Sequence, residues 1–473
     1  MVKPYDQETY QSYNTKQSCP TIRFTITNPN TNEVGYWERL IEPPKDEKKA
    51  RIKAGFGISG LAWLPPDLMS KIMLINSIYI TEGVFDAMAL QQHGYTAISS
   101  ISCNNYPAIV LQQIKETCER LRKTLPKLVF AYDNDNAGQR YTKDFITKAR
   151  QQGFEATAIQ PPHGKKQDWN DLHKTNKLNP SDMQEYEYYG QLLIAETAKD
   201  KAKLVYHRNG LNNFYLPFDN RTYWVKINLN KYDDAYEKNL THRENASEQE
   251  IKQAQDNAHA DAMDDCMSVT EIANCVIEPL YYQQNLITDE SWYYIRIKSP
   301  NQPDAKNTFT GSQLSSASEF KKRLLAVAPG VIYRGNSNQL DRILIDLISN
   351  IDRVETVDYI GYCDQHQAYI FNDRVIKNGV TYPINKDDFF ELPNNVNIKT
   401  LAASPVISIH ERPKQPVNWV HDIVEGWGIQ GLVGLCGFLG SLIAQQIRAK
   451  QKSYPFLEIV GEPGTGKSTL LGF

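Results

Sequence analysis

The sequence predicts an α/β domain built on a parallel sheet, then a mixed α+β region, then the first strand and loop of a phosphate-binding domain. Three observations predict this order. Short apolar runs alternate with amphipathic runs between residues 72 and 175, which is typical of parallel strands joined by helices. Acidic residues follow those apolar runs, and a glycine-rich loop begins at Gly461.

Length and composition limit the class of protein. A chain of 473 residues has room for about two to four domains. The net charge of −3 provides no overall basic field, so nucleic-acid binding would have to use local patches. The seven cysteines include no Cys-x-x-Cys pair, so we expect neither structural zinc nor a disulfide framework. The run from Gly431 to Ile443 is too short and glycine-rich to span a bilayer, so we expect a cytoplasmic protein without membrane contact.

The N-terminal region precedes the parallel sheet. Residues 1–20 are polar, and we expect them to form a poorly ordered arm. Residues 21–71 form a predicted small subdomain, in which two alternating runs flank the turn sequence at 28–32 and indicate a hairpin. A basic stretch at 45–53 follows, and it contains Arg51 and Lys53.

The parallel-sheet domain is expected over residues 72–175. Its apolar, β-rich runs predict strands at 72–80, 97–101, 128–132 and 156–159. The amphipathic runs between them predict helices at 85–93, 109–123 and 138–153. A linker is predicted after this domain, near residues 176–182.

The acidic residues of this domain stand where predicted strands end. Glu82 precedes Gly83 and stands four residues before Asp86, which lies in the first turn of a predicted helix. Either residue alone is most simply a solvated carboxylate or a helix-dipole partner. The combined phrase at 82–90, with its glycine turn, is more specific than either acid alone.

The second and third acidic clusters complete the pattern. Asp133 and Asp135 follow a fully apolar run, and alternation along a strand would place both on one face. The alternative is an Asx-rich turn that caps the next helix. Asp168 stands in a charged loop after the last strand. Carboxylates gathered at one edge of a parallel sheet suit a divalent metal that acts on phosphates.

Glu82-Gly83, Asp133-x-Asp135 and the phrase Lys165-x-x-Asp168-Trp-Asn-Asp-Leu together resemble the TOPRIM fold. DnaG-type primases, topoisomerases, OLD-family nucleases and recombination proteins share that fold. The phrases at 82–90 and 133–138 resemble the primase branch, and the resemblance covers residues 20–175. It implies that Glu82, Asp133, Asp135 and Asp168 hold Mg²⁺ or Mn²⁺, with Glu82, Asp133 and Asp135 catalytic. It also implies that Arg51, Lys53 and Asp86 contact template or nucleotide.

The function implied by the resemblance is primer synthesis for a phage, plasmid or integrated element. Its partners would be a single-stranded DNA template and nucleoside triphosphates. Two alternatives stay open: a metal-dependent TOPRIM nuclease, and a non-catalytic DNA-binding module in replication or defence. The chain lacks the cysteine pairs of the zinc-binding domain that bacterial primases carry.

The remaining regions are less specific. Residues 185–275 predict a helical and mixed linker region, and residues 276–400 predict a β-rich α+β domain with strands that include 291–298 and 331–333. This second region faintly resembles a domain of unknown function that precedes the ATPase of some helicases. Residues 417–452 predict one or two buried helices at the start of the C-terminal region, 417–473.

The strongest C-terminal signal is a phosphate loop behind the predicted strand 456–460. Backbone amides of such a loop bind phosphate, its lysine neutralises charge and its Ser or Thr reaches Mg²⁺. The predicted ATP-binding residues are Gly461, Gly464, Gly466, Lys467, Ser468 and Thr469. Since the chain ends at Phe473, we expect ATPase and helicase activity only in a longer form, whose motor domain allows a homo-oligomer.

Overall fold

The computed structural model describes residues 6–11, 18–43, 48–161, 167–239, 248–285, 288–402 and 419–472. Most of the predicted arm (1–5 and 12–17), the lysines Lys165 and Lys166, and residues 45–47 of the basic stretch lie outside the described residues. The chain divides into two compact units. The first comprises Met1–Phe218 and Val225–Val269, and the second comprises Asp219–Trp224 and Thr270–Phe473.

The first unit begins with a four-stranded antiparallel sheet in sequence order. Its strands are β1 (Asp6–Gln11), β2 (Ser18–Thr27), β3 (Val34–Leu40) and β4 (Ala50–Ile52). The hairpin predicted around residues 28–32 is confirmed, because β2 and β3 pair antiparallel from Thr21 with Leu40 to Thr27 with Val34. The expectation of a poorly ordered arm is wrong for residues 6–11, whose backbone pairs with β2.

The second sheet is the parallel α/β sheet predicted from the alternating pattern, and that prediction is confirmed. Strands and helices alternate along the chain: β5 (Ser77–Thr81), α1 (Val84–Gln92), β6 (Ala97–Ser99), α2 (Ala108–Arg120), β7 (Lys127–Ala131), α3 (Asn136–Gln151) and β8 (Ala156–Ala158). The spatial order is β6-β5-β7-β8, and every neighbouring pair is parallel. Strand β5 therefore lies between β6 and β7.

Alternation along the central strands sends side chains into two apolar layers. Ile78 and Ile80 of β5 join Leu128 and Phe130 of β7 in a core formed with helices α2 and α3. Val129 and Ala131 point to the opposite layer, which contains buried residues of α1. The antiparallel sheet packs on that second layer, where the rings of Phe24 and Phe85 meet edge to face with centroids 5.6 Å apart. Helices thus cover both faces, as buried parallel sheets require.

The linker predicted near residues 176–182 is instead the start of a helix. Helices α4 (Trp169–Lys174), α5 (Pro180–Ile194) and α6 (Ala198–Asn209) follow β8 closely. Asn179 and Asp182 form a capping box, and Pro180 occupies the first turn, which is a strong helix-start combination. Helix α5 packs on β8 so closely that a Cβ on Gly190 would lie 2.0 Å from the carbonyl oxygen of Ala158.

The region after α6 contains the hairpin expected within residues 185–275. The elements are β9 (Asn213–Phe218), β10 (Arg221–Ile227), α7 (Tyr232–Asn239), α8 (Glu248–Cys266) and β11 (Met267–Ala273). Asp219 and Asn220 form the two-residue turn between β9 and β10 with φ of 49° and 53°, as a hairpin turn of this length favours. A small core in the first unit includes Leu216, Val225 and Met263.

The β-rich character predicted for residues 276–400 is observed in the second unit. Its elements are β12 (Val276–Gln284), β13 (Ser291–Lys298), β14 (Ala305–Phe309), α9 (Gly311–Leu314), α10 (Ala317–Val327), α11 (Ser337–Ile348), β15 (Arg353–Val357), β16 (Gly361–Cys363), β17 (Ala368–Ile370), β18 (Arg374–Lys377), β19 (Val380–Pro383), β20 (Phe390–Leu392) and β21 (Val396–Thr400).

Two sheets organise these strands, in the orders β14-β13-β12-β15-β21-β20 and β16-β17-β18-β19. The predicted strand at 331–333 is wrong, because only an isolated bridge joins Tyr333 to Ala273.

The C-terminal elements are α12 (Trp419–Leu442), α13 (Ala444–Gln451) and α14 (Lys467–Gly472). The expectation that the first two helices are buried is wrong for the described part, since α12 buries only Ile423 and Gly431. Helix α12 is long and apolar enough to cross a membrane by length and composition alone. Its backbone departs from helical geometry at Gly428. The predicted strand 456–460 is also wrong, because these residues form no strand, and Phe456 and Val460 are exposed.

Candidate metal and nucleotide site

The candidate site lies at the carboxyl edge of the parallel sheet. Thr81 is the last residue of β5, and its partners in register are Ala131 of β7 and Ser99 of β6. The chain segments that leave these three strands therefore start side by side. Glu82 follows Thr81 directly, and Asp133 stands two residues beyond Ala131. Parallel pairing thus brings together acids that are about fifty residues apart in sequence.

Glu82 carries the electrostatic signature of the site. Its carboxylate is partly buried, and it accepts hydrogen bonds from the backbone amide and the thiol of Cys103. Burial raises the pKa of Glu82, and the negative charges of Asp133 and Asp135 raise it further. The three carboxylates therefore share one electric field, and their repulsion favours a bound proton or cation.

Cys103 is a site residue that the sequence did not indicate. Burial raises the pKa of its thiol to about 11, with further contributions from Glu82 and Asp135. The thiol is thus neutral at physiological pH and donates to Glu82. A single cysteine in a loop after a short strand carries no motif, so its contact with Glu82 comes only from the fold.

The loop that holds Cys103 is fixed to the strand ends by serine side chains. The Ser99 hydroxyl donates to the carbonyl oxygen of Glu82 at 2.8 Å, and the Ser100 hydroxyl donates to the carbonyl oxygen of Thr81 at 3.1 Å. Ile101, which follows these two serines, has φ of 71°, a left-handed conformation that is costly for a β-branched residue. Its amide donates to the Ser99 hydroxyl at 3.0 Å, which helps to hold this conformation.

Asp133 and Asp135 do not share a strand face, so that part of the prediction is wrong. Strand β7 ends at Ala131, and the period-two argument does not extend beyond it. Asp135 is the N-cap of α3, where its carboxylate accepts the amide of Gly138 at 2.8 Å. This is the alternative role considered above, an Asx turn that caps a helix. Asp133 is partly buried and precedes the cap.

Gly138 is required by the close approach of α3 to Asp133. A Cβ at this position would lie 2.1 Å from the carbonyl oxygen of Asp133, far inside van der Waals contact. The glycine therefore sets the position of the backbone that carries Asp133, and it also supplies the amide that Asp135 binds.

Asp168 reaches the same edge of the sheet through helix α4. It is the N-cap of α4 and accepts the amide of Asp171 at 2.7 Å. The next residue, Trp169, is fully buried, and its indole N–H donates to the carbonyl oxygen of Ala131 at 2.7 Å. The N-terminus of α4 is thus attached to the end of β7.

Asp86 links α1 to α4 rather than facing open solvent. It is 8% exposed, and its carboxylate accepts the amide of Asn170 at 3.0 Å. Burial raises the pKa of Asp86 to about 7, and the charge of Asp168 is the next contribution, while the Asn170 hydrogen bond lowers it. Smaller contributions from Asp133 and Glu82 raise it as well, so Asp86 belongs to the same acidic field.

The donor chemistry of these residues fits a hard divalent cation. Mg²⁺ and Mn²⁺ prefer carboxylate oxygens, and the site is rich in them. Asp135 and Asp168 each use a carboxylate oxygen to cap a helix, which leaves a second oxygen on each side chain. Among the described residues, no three histidine, cysteine, aspartate or glutamate side chains converge as in a preformed metal centre.

Arg51 and Lys53 lie in and just after β4, and their described contacts are within the antiparallel sheet. The Nε atom of Arg51 is 3.1 Å from an Oε atom of Glu38, a carboxylate 2% exposed that also pairs with Arg23 at 2.8 Å. The Lys53 ammonium donates to the carbonyl oxygen of Val34 at 2.8 Å and is exposed. Lys53 is thus the more accessible cation of the two.

The glycine-rich loop at the C-terminus adopts a tight turn before α14. Gly464 and Gly466 have φ of 87° and 78°, which glycine adopts without strain. The Lys467 ammonium donates to the carbonyl oxygens of Gly461 at 2.6 Å and Glu462 at 2.7 Å. Ser468 and Thr469 lie in the first turn of α14.

Comparison with known proteins places a family match over this sheet and its acids. Residues 79–173 match the Toprim-like family, so the chain contains a Toprim-like domain that holds Glu82, Asp133, Asp135 and Asp168. The chain is 27% identical over 148 residues to an uncharacterized protein of Mycoplasma genitalium, a match that covers 31% of this chain. The chain spans 60% of the length of that relative.

Solved primase structures are also similar to this chain. The RNA polymerase domain of Mycobacterium tuberculosis primase DnaG is 17% identical with a TM-score of 0.30, and the match covers 42% of this chain and 67% of that chain. The E. coli primase catalytic core is 19% identical with a TM-score of 0.28, covering 37% of this chain and 56% of that one. The domain assignment rests on the family match at 79–173.

Proposed function

We propose that the Toprim-like domain is a metal-dependent nucleotidyltransferase that makes oligonucleotide primers, as a DNA primase does. The observation that supports this most directly is the convergence of Glu82, Asp133 and Asp135 at the edge of the sheet, where burial first, and then the charges of the two aspartates, raise the pKa of Glu82. Such a field has a chemical use when cations and a triphosphate enter it.

The residues have separate tasks in this proposal. Glu82, Asp133, Asp135 and Asp168 hold Mg²⁺ or Mn²⁺, which would lower the pKa of an attacking 3′-hydroxyl and neutralise the departing pyrophosphate. Cys103 orients the Glu82 carboxylate through two hydrogen bonds. Asp86 positions the N-terminus of α4 through Asn170. Lys53 steadies the triphosphate from the antiparallel sheet. Arg51 stabilises that sheet through its ion pair with Glu38.

The remaining partners follow from this proposal. The template is single-stranded DNA, the substrates are nucleoside triphosphates, and the setting is replication of a phage, plasmid or integrated element in a cytoplasm. The loop from Gly461 to Thr469 binds the phosphates of ATP, and a longer form of the protein couples ATP hydrolysis to unwinding as an oligomer. The left-handed glycines and the position of Lys467 support the phosphate loop.

The test is incorporation of labelled nucleotide on single-stranded DNA with Mg²⁺ or Mn²⁺. Glu82→Gln should abolish incorporation, because it removes charge but little volume. Asp144→Asn, at an exposed position of α3, is the matched control and should retain full activity. Activity of Glu82→Gln equal to wild type would refute the site. If no product forms but the DNA is cut in a Glu82-dependent manner, the nuclease alternative replaces the primase.

A further inference from the structure

The second unit contains a sheet face that combines tyrosines with basic side chains. Cross-strand pairing and alternation place Tyr281 of β12 beside Tyr294 and Arg296 of β13 on one face, with Lys306 of β14 opposite Arg296. The Lys399 ammonium of β21 lies 4.0 Å from the ring centroid of Tyr294 and 2.9 Å from the Tyr281 hydroxyl. These five residues are called the aromatic–basic face.

A short acidic segment covers this face. Residues 385–389, called the acidic strap, connect β19 to β20. Asp387 pairs with Arg296, and Asp388 lies 3.0 Å from the Lys306 ammonium and accepts the Tyr294 hydroxyl at 3.1 Å. The ring of Phe389 meets Tyr281 edge to face with centroids 5.1 Å apart. The two adjacent aspartates thus pair with cations of the face, and the Phe389 ring packs against one of its tyrosines.

The strap has a locally constrained shape of its own. The Asn385 side chain accepts the amides of Asp387 at 2.9 Å and Phe389 at 3.2 Å, and the Asn385 amide donates to the carbonyl oxygen of Phe389 at 2.9 Å. Asp388 has φ of 69°, an uncommon conformation for a residue with a Cβ. The strap is therefore a closed turn whose side chains bind the face.

Two side-chain oxygen atoms on the same side of this sheet lack a hydrogen-bond partner among the residues that the structure describes. Gln283 follows Tyr281 by two residues, and Thr356 pairs in register with Lys399. The Gln283 Oε1 and Thr356 Oγ1 atoms are buried without a hydrogen-bond partner, which is rare in folded proteins. Burial and the neighbouring Lys306 lower the pKa of Lys399, whereas Asp388 raises it. The face therefore retains polar groups that the strap does not satisfy.

We propose that the aromatic–basic face binds single-stranded nucleic acid and that the acidic strap occupies it in the unliganded protein. The carboxylates of Asp387 and Asp388 take the places of phosphates, and the Phe389 ring takes the place of a base. Single-strand binding uses this combination of stacking rings and a basic track. The proposal is independent of the carboxylate site, so it is tested in a Glu82→Gln background.

Charge explains why the strap would control access. The face, its rim and the strap carry five basic side chains, Arg296, Lys298, Lys306, Lys386 and Lys399, against four acidic ones, Glu278, Asp304, Asp387 and Asp388. Neutralising the two strap acids removes two negative charges and leaves two acidic side chains against five basic ones. Each additional phosphate contact on a single strand steepens the salt dependence of log K by about 0.7, so two contacts give about 1.4.

The experiment measures binding of a fluorescent oligothymidylate to the full chain over a range of salt concentrations. The Asp387→Asn, Asp388→Asn double variant should bind roughly tenfold tighter at low salt, with the steeper salt dependence. The matched control is Asp341→Asn, Asp346→Asn, which makes the same charge change at exposed positions of α11. Adding Tyr294→Leu to the strap variant should remove most of the gain. Tightening no greater than in the control, or equal tightening for polyglutamate, would overturn the proposal.

A second measurement does not depend on the folding of any variant. Hydrogen exchange in the strap is followed with and without saturating oligonucleotide. The amides of Asn385 and Asp388, which bond within the strap, should exchange faster when the oligonucleotide displaces it. Unchanged or slower exchange at both amides would show that the strap stays in place, and the proposal would then be wrong.

Discussion

The indole N–H of Trp169 donates to the carbonyl oxygen of Ala131 at 2.7 Å. This bond joins the first residue of α4, directly after Asp168, to the last residue of β7, two residues before Asp133. The Trp169 side chain thus holds the start of α4, which follows Asp168, against the end of β7, which precedes Asp133. Asp86 reinforces the arrangement, because its carboxylate binds the amide of Asn170 in the same turn of α4.

Trp169→Phe tests this attachment. Phenylalanine fills much of the same space but leaves the buried carbonyl oxygen of Ala131 without this donor, which should cost about 1–3 kcal/mol in the free energy of unfolding. Affinity for Mn²⁺, measured by titration calorimetry, should fall because Asp168 is no longer held. Tyr106→Phe, which loses a side-chain hydrogen bond to Gln152 away from the acids, should leave the metal affinity unchanged. Unchanged Mn²⁺ affinity in Trp169→Phe would contradict the role of the attachment.

Asp86→Asn should change how stability depends on pH in metal-free buffer. The pKa of Asp86 is raised to about 7, so between about pH 4 and pH 7 the folded state binds more protons than the unfolded state. The free energy of unfolding of the wild type therefore falls as pH rises through this window, by on the order of a few kcal/mol. Asparagine stays neutral and still accepts the Asn170 amide, so the variant should lack most of this fall.

Urea denaturation at pH 5 and pH 8 in EDTA measures the effect of Asp86→Asn. The variant should exceed wild type in stability at pH 8 and match it more closely at pH 5. Asp144→Asn, at an exposed position of α3, should follow the wild type at both pH values. Equal pH dependence of the free energy of unfolding in Asp86→Asn and wild type would contradict the raised pKa of Asp86.

Gly138→Ala should damage both the fold and the site. Alanine is favoured over glycine in a helix by about 1 kcal/mol. The added Cβ, however, would lie 2.1 Å from the carbonyl oxygen of Asp133, and a backbone atom cannot rotate away. We expect this overpacking, about 1–3 kcal/mol, to exceed the gain, and Mn²⁺ affinity to fall as Asp133 shifts. Gly57→Ala, where a Cβ meets open space, is the control, and stability of Gly138→Ala above wild type would refute this reasoning.

The parallel sheet and its acids were predictable because their signals are local. Apolar runs followed by Glu82, Asp133 and Asp168 need only the rule that parallel strands end at one edge. Helix α5 was missed: Asn179, Pro180 and Asp182 form a complete helix start, but the asparagine and proline led to the prediction of a linker. The Cys103 contact could not be predicted from the sequence, because it depends on the left-handed conformation of Ile101 directly after two serines whose hydroxyls bind the end of β5.

The strand predicted at residues 456–460 was not observed, although its sequence pattern is clear. Residues 456–460 have the apolar sequence of a buried strand, but a strand also needs a neighbour that accepts its hydrogen bonds. Within the described part of the chain these residues have no strand partner, and Phe456 and Val460 stay exposed. Pattern alone therefore predicted the element, and tertiary pairing decided against it.

Lys53→Ala and Asp135→Asn should affect different kinetic constants in nucleotide incorporation. Lys53 is exposed on the antiparallel sheet and contacts Val34 through its ammonium, so its proposed task is to steady the triphosphate. An ion pair between an exposed lysine and a phosphate contributes about 1 kcal/mol. The KM for nucleotide should therefore rise roughly threefold to tenfold in Lys53→Ala with kcat unchanged. Lys143→Ala, exposed on α3, should change neither constant.

Asp135→Asn separates the charge of this residue from its structural role. Asparagine is as good an N-cap as aspartate, so it still accepts the Gly138 amide and α3 keeps its start. Only the negative charge is lost, and kcat should fall on the order of 100-fold because the cation that would neutralise the departing pyrophosphate is held less tightly. Circular dichroism and thermal melting should match the wild type, which confirms that the cap is intact. If kcat is retained while the melting temperature falls, Asp135 serves the helix alone and the catalytic set must be redrawn without it.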